Sequence, residues 1–314
     1  MFRDWLINDR FLKRLSSERI RQISERLVEW ELDNAEFDLV LDSWFANFKW
    51  KDKELAYKIL LNIDYFSLTR FTRFLHSLYG LIRRRIVELG LEGTALRIVT
   101  PEGGGDSAHR HAYDLVKTWA LPREVVRSLP DLEEDDLSEC ILVLFNDTHG
   151  SGTQFIREVW PLISRLRQGP RHIFIASVAL AAEARNLFKE RLDSRVQVFP
   201  DGTTPSAKDL FTISELERIS EIGASIYPKH PLGFGETALL TAYYFQCPNN
   251  SLPLIWADGR NNASDDSSKP YPWMPLFRYN PKIKRTAAEA DERTWLLREI
   301  ANLKAEASKS RGER

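Results

Sequence analysis

Apolar residues recur at intervals of three and four from Phe11 to about Leu89, most clearly at Phe37, Val40, Leu41, Trp44, Phe45 and Phe48, and no proline interrupts the stretch. That interval is the period of an amphipathic helix. Residues 1–90 are therefore expected as a helical region. Beyond it the pattern changes to short apolar runs separated by breakers. Ala95–Thr100, Ile141–Phe145, His172–Ala176 and Val196–Phe199 each read as a buried strand. Ala108–Trp119, Gly152–Leu166 with a kink expected at Pro161, and Leu180–Glu190 read as helices between them. Parallel strands need helical crossovers, so this alternation predicts an α/β fold with a doubly wound, mainly parallel sheet over residues 91–222.

After about Gly223 the text becomes HPLGFGETALLTAYYFQCPNNSLPLIW, rich in Gly, Pro, Asn and aromatic residues. Such a composition suits turns and extended segments better than another strand–helix unit. Residues 223–286 are expected as an extension packed on the core, with Trp256 and Trp273 supplying burial. Residues 287–314 read as a charged helical tail that fades into SKSRGER.

Composition narrows the classes of function. The 44 Lys and Arg balance 45 Asp and Glu, so no global field draws the 314-residue chain onto nucleic acid, and any such contact must be local. Two cysteines, Cys140 and Cys247, lie far apart, which argues against a disulfide framework or a structural zinc. MFRDWLINDRFLKR carries charges where a secretory signal would be apolar, and no later run approaches a membrane span. The expectation is cytoplasmic residence without membrane association.

The chemistry concentrates in CILVLFNDTHGSGTQF, Cys140 to Phe155. In an open α/β sheet ligands sit at the carboxyl ends of the strands, where a following helix start presents N–H groups and a positive dipole end. Gly150 and Gly152 let the backbone curl around an anion, Ser151 and Thr153 add hydroxyl donors, and Gln154 closes the turn. Asn146 and Asp147, expected just past the strand, would accept hydrogen bonds from vicinal hydroxyls. Phosphate plus a diol means a ribose 5-phosphate. His149 sits in the same turn and could titrate near neutral pH as an acid/base candidate; an exposed loop histidine without a role is the alternative. Neither a Walker-A loop nor a G-x-G-x-x-G fingerprint is present at this turn. The competing reading is an ordinary capped strand-to-helix connection.

ILVLFNDTHGSGTQF resembles the ribose-phosphate signature of type I phosphoribosyltransferases, with Asp147 at the second acidic position, Ser151 and Gly152 at the centre of the phosphate turn, and Thr153 at its exit. Asn146 stands where that family carries Asp or Glu, Gly150 where many members keep an acidic residue or threonine, and Gln154 where a small hydroxyl residue is common. These departures bear more on transferase chemistry than on ribose-phosphate binding. The resemblance assigns the pyrophosphate to the loop after the first core strand, here Glu102, Gly103, Gly104, Gly105, Asp106 and Ser107. The glycines would bring amides to the anion and Ser107 would donate from a helix start. Glu102 and Asp106 would repel pyrophosphate unless Mg²⁺, carried by the substrate, bridges them; a flexible loop capped by Ser107 is the alternative.

Together with WFANFKWKDKELAYKILLNIDYFS and HPLGFGETALLTAYYFQCPNNSLPLIW, the turn resembles phosphoribosyltransferase-like proteins with a C-terminal extension from bacterial conflict and anti-phage loci, including retron operons. The resemblance implies a defence role beside a reverse transcriptase, non-coding RNA or DNA, or a DNA-binding protein. Among the remaining residues, Arg110 could reach an anion, whereas His109 and His111 face different sides of a helix and make no metal pair. Lys229, His230, Gly233, Gly235 and Glu236 could open a hood over the crevice, and Pro248-Asn249-Asn250 reads as a structural turn. Three functions stay open: an enzyme acting at the anomeric carbon, a non-catalytic nucleotide sensor on the same fold, and a structural interaction protein.

Overall fold

A computed structural model describes residues 12–30, 34–100, 107–128, 132, 137–166, 169–258 and 273–277. All of them fall in one compact unit, residues 1–279. The expected tail, 287–314, lies outside the described residues.

The described residues begin with three α-helices, α1 (Ser17–Glu29), α2 (Asn34–Ala46) and α3 (Lys53–Leu61), followed by a short strand, β1 (Asp64–Phe66), and the long α4 (Leu68–Glu88). The described part of residues 1–90 is thus mainly helical, with β1 its one strand. Ser67 caps α4 by accepting the Arg70 N–H at 3.2 Å, and Phe71, Leu75, Leu78, Ile82 and Ile86 form its buried face at the predicted spacing. Next come β2 (Ala95–Thr100), α5 (Ser107–Thr118), β3 (Val126–Ser128), β4 (Cys140–His149), α6 (Trp160–Ser164), β5 (His172–Leu180), α7 (Ala182–Arg191) and β6 (Val196–Phe199). The five strands β2–β6 form a parallel sheet in the order β3-β2-β4-β5-β6. This is the doubly wound α/β architecture expected from the alternating pattern.

Two strands run longer than their apolar runs. β4 extends to His149 and β5 to Leu180, so Asn146 and Asp147 belong to the strand itself. Pro161 lies inside a helical segment that runs unbroken from Thr153 to Ser164, directly after a π-helical turn at Phe155–Val159, the widened turn standing where the proline interrupts the regular N–H ladder. The chain then adds α8 (Ala207–Leu210), α9 (Ile213–Ile226), β7 (Thr241–Tyr243) and α10 (Pro253–Trp256). α9 begins at a capping box in which the Thr212 hydroxyl accepts the Glu215 N–H and the Glu215 carboxylate accepts the Thr212 N–H.

Apolar packing divides into three clusters. α4 and α5 cover one face of the sheet through Phe71, Leu75, Leu115, Ile141, Val143 and Phe174. Phe155, Ile163, Ala184 and Phe188 cover the other through Leu142, Leu144 and Ile175. The third cluster joins the two ends of the described chain, with Trp44, Phe45 and Phe48 packed beside Leu252, Leu254, Ile255 and Trp273. β7 pairs in parallel with β1, Thr241 opposite Asp64, and this ribbon straddles two clusters: Tyr65 and Ala242 face the terminal core, Phe66 and Tyr243 the sheet. Among the described residues no helix is long and apolar enough to cross a membrane.

Candidate functional site

The winding of the sheet reverses between β2 and β4, because the chain moves outward from β2 to β3 and then returns to β4, β5 and β6. A crevice at the carboxyl ends of these two strands follows from that reversal. β4 overruns its neighbour there: its ladder with β2 ends at Val99 opposite Leu144, while pairing with β5 continues to His149 opposite Leu180. Asn146–His149 therefore border β5 on one side and the crevice on the other.

Each of these four residues has a distinct environment. Asn146 is exposed and folds its amide onto its own backbone, Oδ1 accepting the Asp147 N–H at 3.0 Å and Nδ2 donating to the Thr148 carbonyl at 3.0 Å. Asp147 is buried; Oδ1 accepts the Thr148 N–H at 2.8 Å, and Oδ2 accepts the Gln246 side-chain amide at 2.8 Å. The Tyr243 hydroxyl donates to the Asp147 carbonyl at 2.8 Å, so its 2.7 Å contact with the Thr148 hydroxyl has the threonine as donor. Burial, reinforced by the Asp147 charge, pushes the Tyr243 phenol well above its ordinary range and keeps it protonated.

His149 corrects an expectation. It points away from the crevice into the apolar layer, its ring edge-on to Phe155 and Phe188 at 5.9 and 5.2 Å. Burial depresses its pKa to about 4, against a partial opposing pull from Asp147. The imidazole is neutral at physiological pH and, at 7% exposure, is not placed for acid/base work on a bound sugar.

The turn itself is compact and covered. Gly152 sits at φ +72°, and a Cβ there would come within 3.0 Å of Phe188 Cε1 and 3.2 Å of Ala184 Cα, so backbone conformation and packing both call for glycine. A Cβ on Gly150 would lie 2.0 Å from the Asn250 side-chain nitrogen, and one on Gly235 would lie 2.6 Å from Ser151 Cβ. The segment Phe234–Asn250 is thus seated directly on the turn. Asn250 is fixed in that position by donating to the Phe234 carbonyl at 2.9 Å. The Ser151 and Thr153 hydroxyls bond each other at 2.8 Å, and Thr153 and Gln154 are exposed at the start of the next helical segment. In the expected hood, His230 stacks on Phe234 with ring centroids 4.1 Å apart, while Lys229 and Glu236 face outward.

Asp147, Ser151 and Thr153 are therefore brought to one strand end with the glycines between them. Glu102, Gly103, Gly104, Gly105 and Asp106 lie outside the described residues; Ser107 opens α5, as a helix start after β2 requires, and its side chain lies outside the description. The residues that the sequence reading missed are Tyr243 and Gln246. Both stand in TAYYFQC, taken there only as apolar packing material, and nothing in its pattern signals that β7 will carry them back to β4.

A family model described as PRTase-CE matches residues 41–278. The chain belongs to this family. It is a phosphoribosyltransferase-like protein, and the match spans α3, the whole parallel sheet and the extension that caps it. No curated protein and no solved structure matches the chain significantly. For magnesium, the described residues of this PRTase-CE protein contain no group of three or more His, Cys, Asp and Glu side chains able to hold a metal ion. Among the described residues, the Thr148 N–H and the Gln246 amide donate to the two carboxylate oxygens of Asp147. The described residues do not by themselves form a protein-borne Mg²⁺ site, Glu102 and Asp106 lie outside the description, and no step is derived through the ion.

Proposed function

We propose that this PRTase-CE protein is a ribose 5-phosphate-binding module that senses a phosphoribosyl compound or nucleotide without turning it over. The observation that carries the reading is the bond between Asp147 Oδ2 and the Gln246 amide. A carboxylate at the sheet's switch point, met by a neutral N–H from the C-terminal extension, is an acceptor for which a ribose hydroxyl competes on equal terms. Ligand entry then displaces Gln246 and with it the segment that rests on Gly150 and Ser151. The phosphate would take the N–H groups and hydroxyls of Gly150–Gln154. Asn146 carries no charge and His149 is neutral and buried, so the described strand end offers Asp147 as an acceptor for the sugar and no histidine acid/base for the anomeric carbon.

Magnesium, if it participates, enters with a pyrophosphate-bearing ligand. The resemblance to defence-associated proteins supports a place in a bacterial anti-phage system, including retron operons, with reverse transcriptase, non-coding RNA or DNA, or a DNA-binding protein of the same locus as partner. The decisive experiment is calorimetric titration of the full chain with ribose 5-phosphate, phosphoribosyl pyrophosphate and inorganic phosphate, combined with phosphorus NMR of the same mixtures. Saturable ribose-phosphate binding without pyrophosphate release is the expected result. Release of pyrophosphate would replace the sensor with an enzyme acting at the anomeric carbon, and no binding at millimolar ligand would end both readings.

A further inference from the structure

The outer face of α4 carries a feature that neither the sheet nor the ribose-phosphate site uses. Its inner face is core, yet Arg73, His76, Ser77, Gly80, Arg83 and Arg84 are all exposed. Helical geometry sets Arg73, Ser77, Gly80 and Arg84 along one stripe, with His76 and Arg83 beside it. The neighbouring arginines are occupied: Arg70 pairs with Asp64, and Arg85 bonds Glu88 and Gln197. Among the described residues no ion pair or side-chain hydrogen bond engages Arg73, Arg83 or Arg84. In a chain of net charge −1, three unengaged guanidinium groups on one helix face are a local concentration of positive charge.

Gly80 supplies the second, independent observation. A glycine inside a helix weakens it relative to alanine, and close packing is the usual reason for tolerating one. Among the described residues no packing reason exists here, since a Cβ on Gly80 would meet nothing within 4 Å. The position is bare on the solvent side, between Arg73 toward one end and Arg83 and Arg84 toward the other. A smooth saddle flanked by cations fits a large polyanion that rests on the helix.

We propose that α4 is a docking surface for double-stranded DNA, gripped through its phosphates and without reading of sequence. Arg73 and Arg84 are 11 residues apart, about 16 Å along the axis, which lets them reach the phosphate strands on either side of a major groove about 12 Å wide. Gly80 then lies over the groove, where a longer side chain would hold the duplex away. Among the described residues the His76 imidazole is the one exposed ring beside the stripe, and no Phe, Tyr or Trp is exposed there to stack successive unpaired bases, so a duplex is favoured over a single strand.

The test is fluorescence anisotropy of the full chain with a 20-base-pair DNA duplex between 50 and 200 mM salt. With three phosphate contacts the affinity should fall roughly 40-fold over that range. Replacing Arg73, Arg83 and Arg84 together by Gln should abolish binding and the salt dependence while the unfolding midpoint stays in place. Gly80→Gln should bind severalfold more weakly although its helix is more stable, a combination that a purely structural glycine would not give. Absence of DNA binding at 50 mM salt, or undiminished binding by the triple variant, overturns the proposal. Equal affinity for an RNA duplex of the same length overturns the groove-spanning geometry, because the A-form major groove is deep and narrow. Preferential adsorption to anionic phosphatidylserine vesicles would instead assign the stripe to a membrane surface. None of these outcomes depends on whether ribose 5-phosphate binds at β4.

Discussion

The sheet core and the terminal core are assembled from the chain in opposite ways. Residues 95–199 build the sheet in a single pass, each strand followed by the segment that covers it. The terminal core closes across the chain: the Trp44 indole N–H donates to the Leu254 carbonyl 210 positions away, and Arg218 grips Asp52 through two 2.8 Å bonds over 166 positions. Asp52 is 5% exposed, and its carboxyl is held below the usual carboxylate range mainly by the Arg218 hydrogen bonds. Local order makes the sheet readable in sequence, whereas long-range closure places the extension on the end of β4. The candidate site lies where the two constructions touch.

The harshest test of that picture is Trp44→Ala. Trp44 is fully buried, packs edge-on against Phe45 and Phe48, and holds the extension by its hydrogen bond. Truncation should cost about 3–5 kcal/mol in urea unfolding, from lost burial and a cavity. If the terminal core and the sheet form one cooperative unit, a single transition shifts to lower denaturant. Two separated transitions, with the sheet unfolding at its original midpoint, would show that the extension is an independent layer.

Asp147→Asn tests the sheet side of the seam alone. The side chain keeps its shape and an oxygen for Gln246, but loses the charge offered to a sugar hydroxyl. Ribose 5-phosphate binding should weaken by roughly 1.5–3 kcal/mol, about ten- to a hundredfold, while inorganic phosphate binds as before. Equal weakening of both ligands would mean that Asp147 only shapes the turn.

The parallel sheet, its helices and the glycine turn were legible because continuous apolar runs, the period of 3.6 and turn residues act within a dozen positions. β1, β3 and β7 are three residues each, too short to show a period. The start of α9 was legible in principle through Thr212 and Glu215, a capping-box spacing that was passed over. His149 was misplaced because a loop residue was assumed where β4 continues. Gln246 could not be found at all, since its role exists only once β7 has paired with β1.

His149 makes the sheet side sensitive to pH. Its folded-state pKa, about 4, lies below the ordinary 6.5 because burial disfavours the cation. The unfolded chain therefore binds more protons between these values, so this contribution is complete above about pH 6.5 and is lost as pH falls toward 4. Between pH 7.5 and 5 it amounts to about 2 kcal/mol. Urea midpoints should show that loss in the native protein and not in His149→Phe, which fits the Phe155 and Phe188 layer without a titrating nitrogen. Parallel pH profiles for the two proteins would place the imidazole in water.

Gln246→Ala gives the smallest effect and the most informative sign. Its amide is the extension's direct side-chain bond to the Asp147 carboxylate, in a part-buried position where water can replace it. Losing it should lower stability by about 1 kcal/mol, near the typical net value of one hydrogen bond. If Gln246 competes with the ribose for Asp147, the same substitution should tighten ribose 5-phosphate binding by about fivefold, the affinity equivalent of about 1 kcal/mol. Stability and affinity then move in opposite directions, which a purely structural contact does not produce. Should both fall together, Gln246 belongs to the bound state as a ligand contact, and the extension completes the site rather than guarding it.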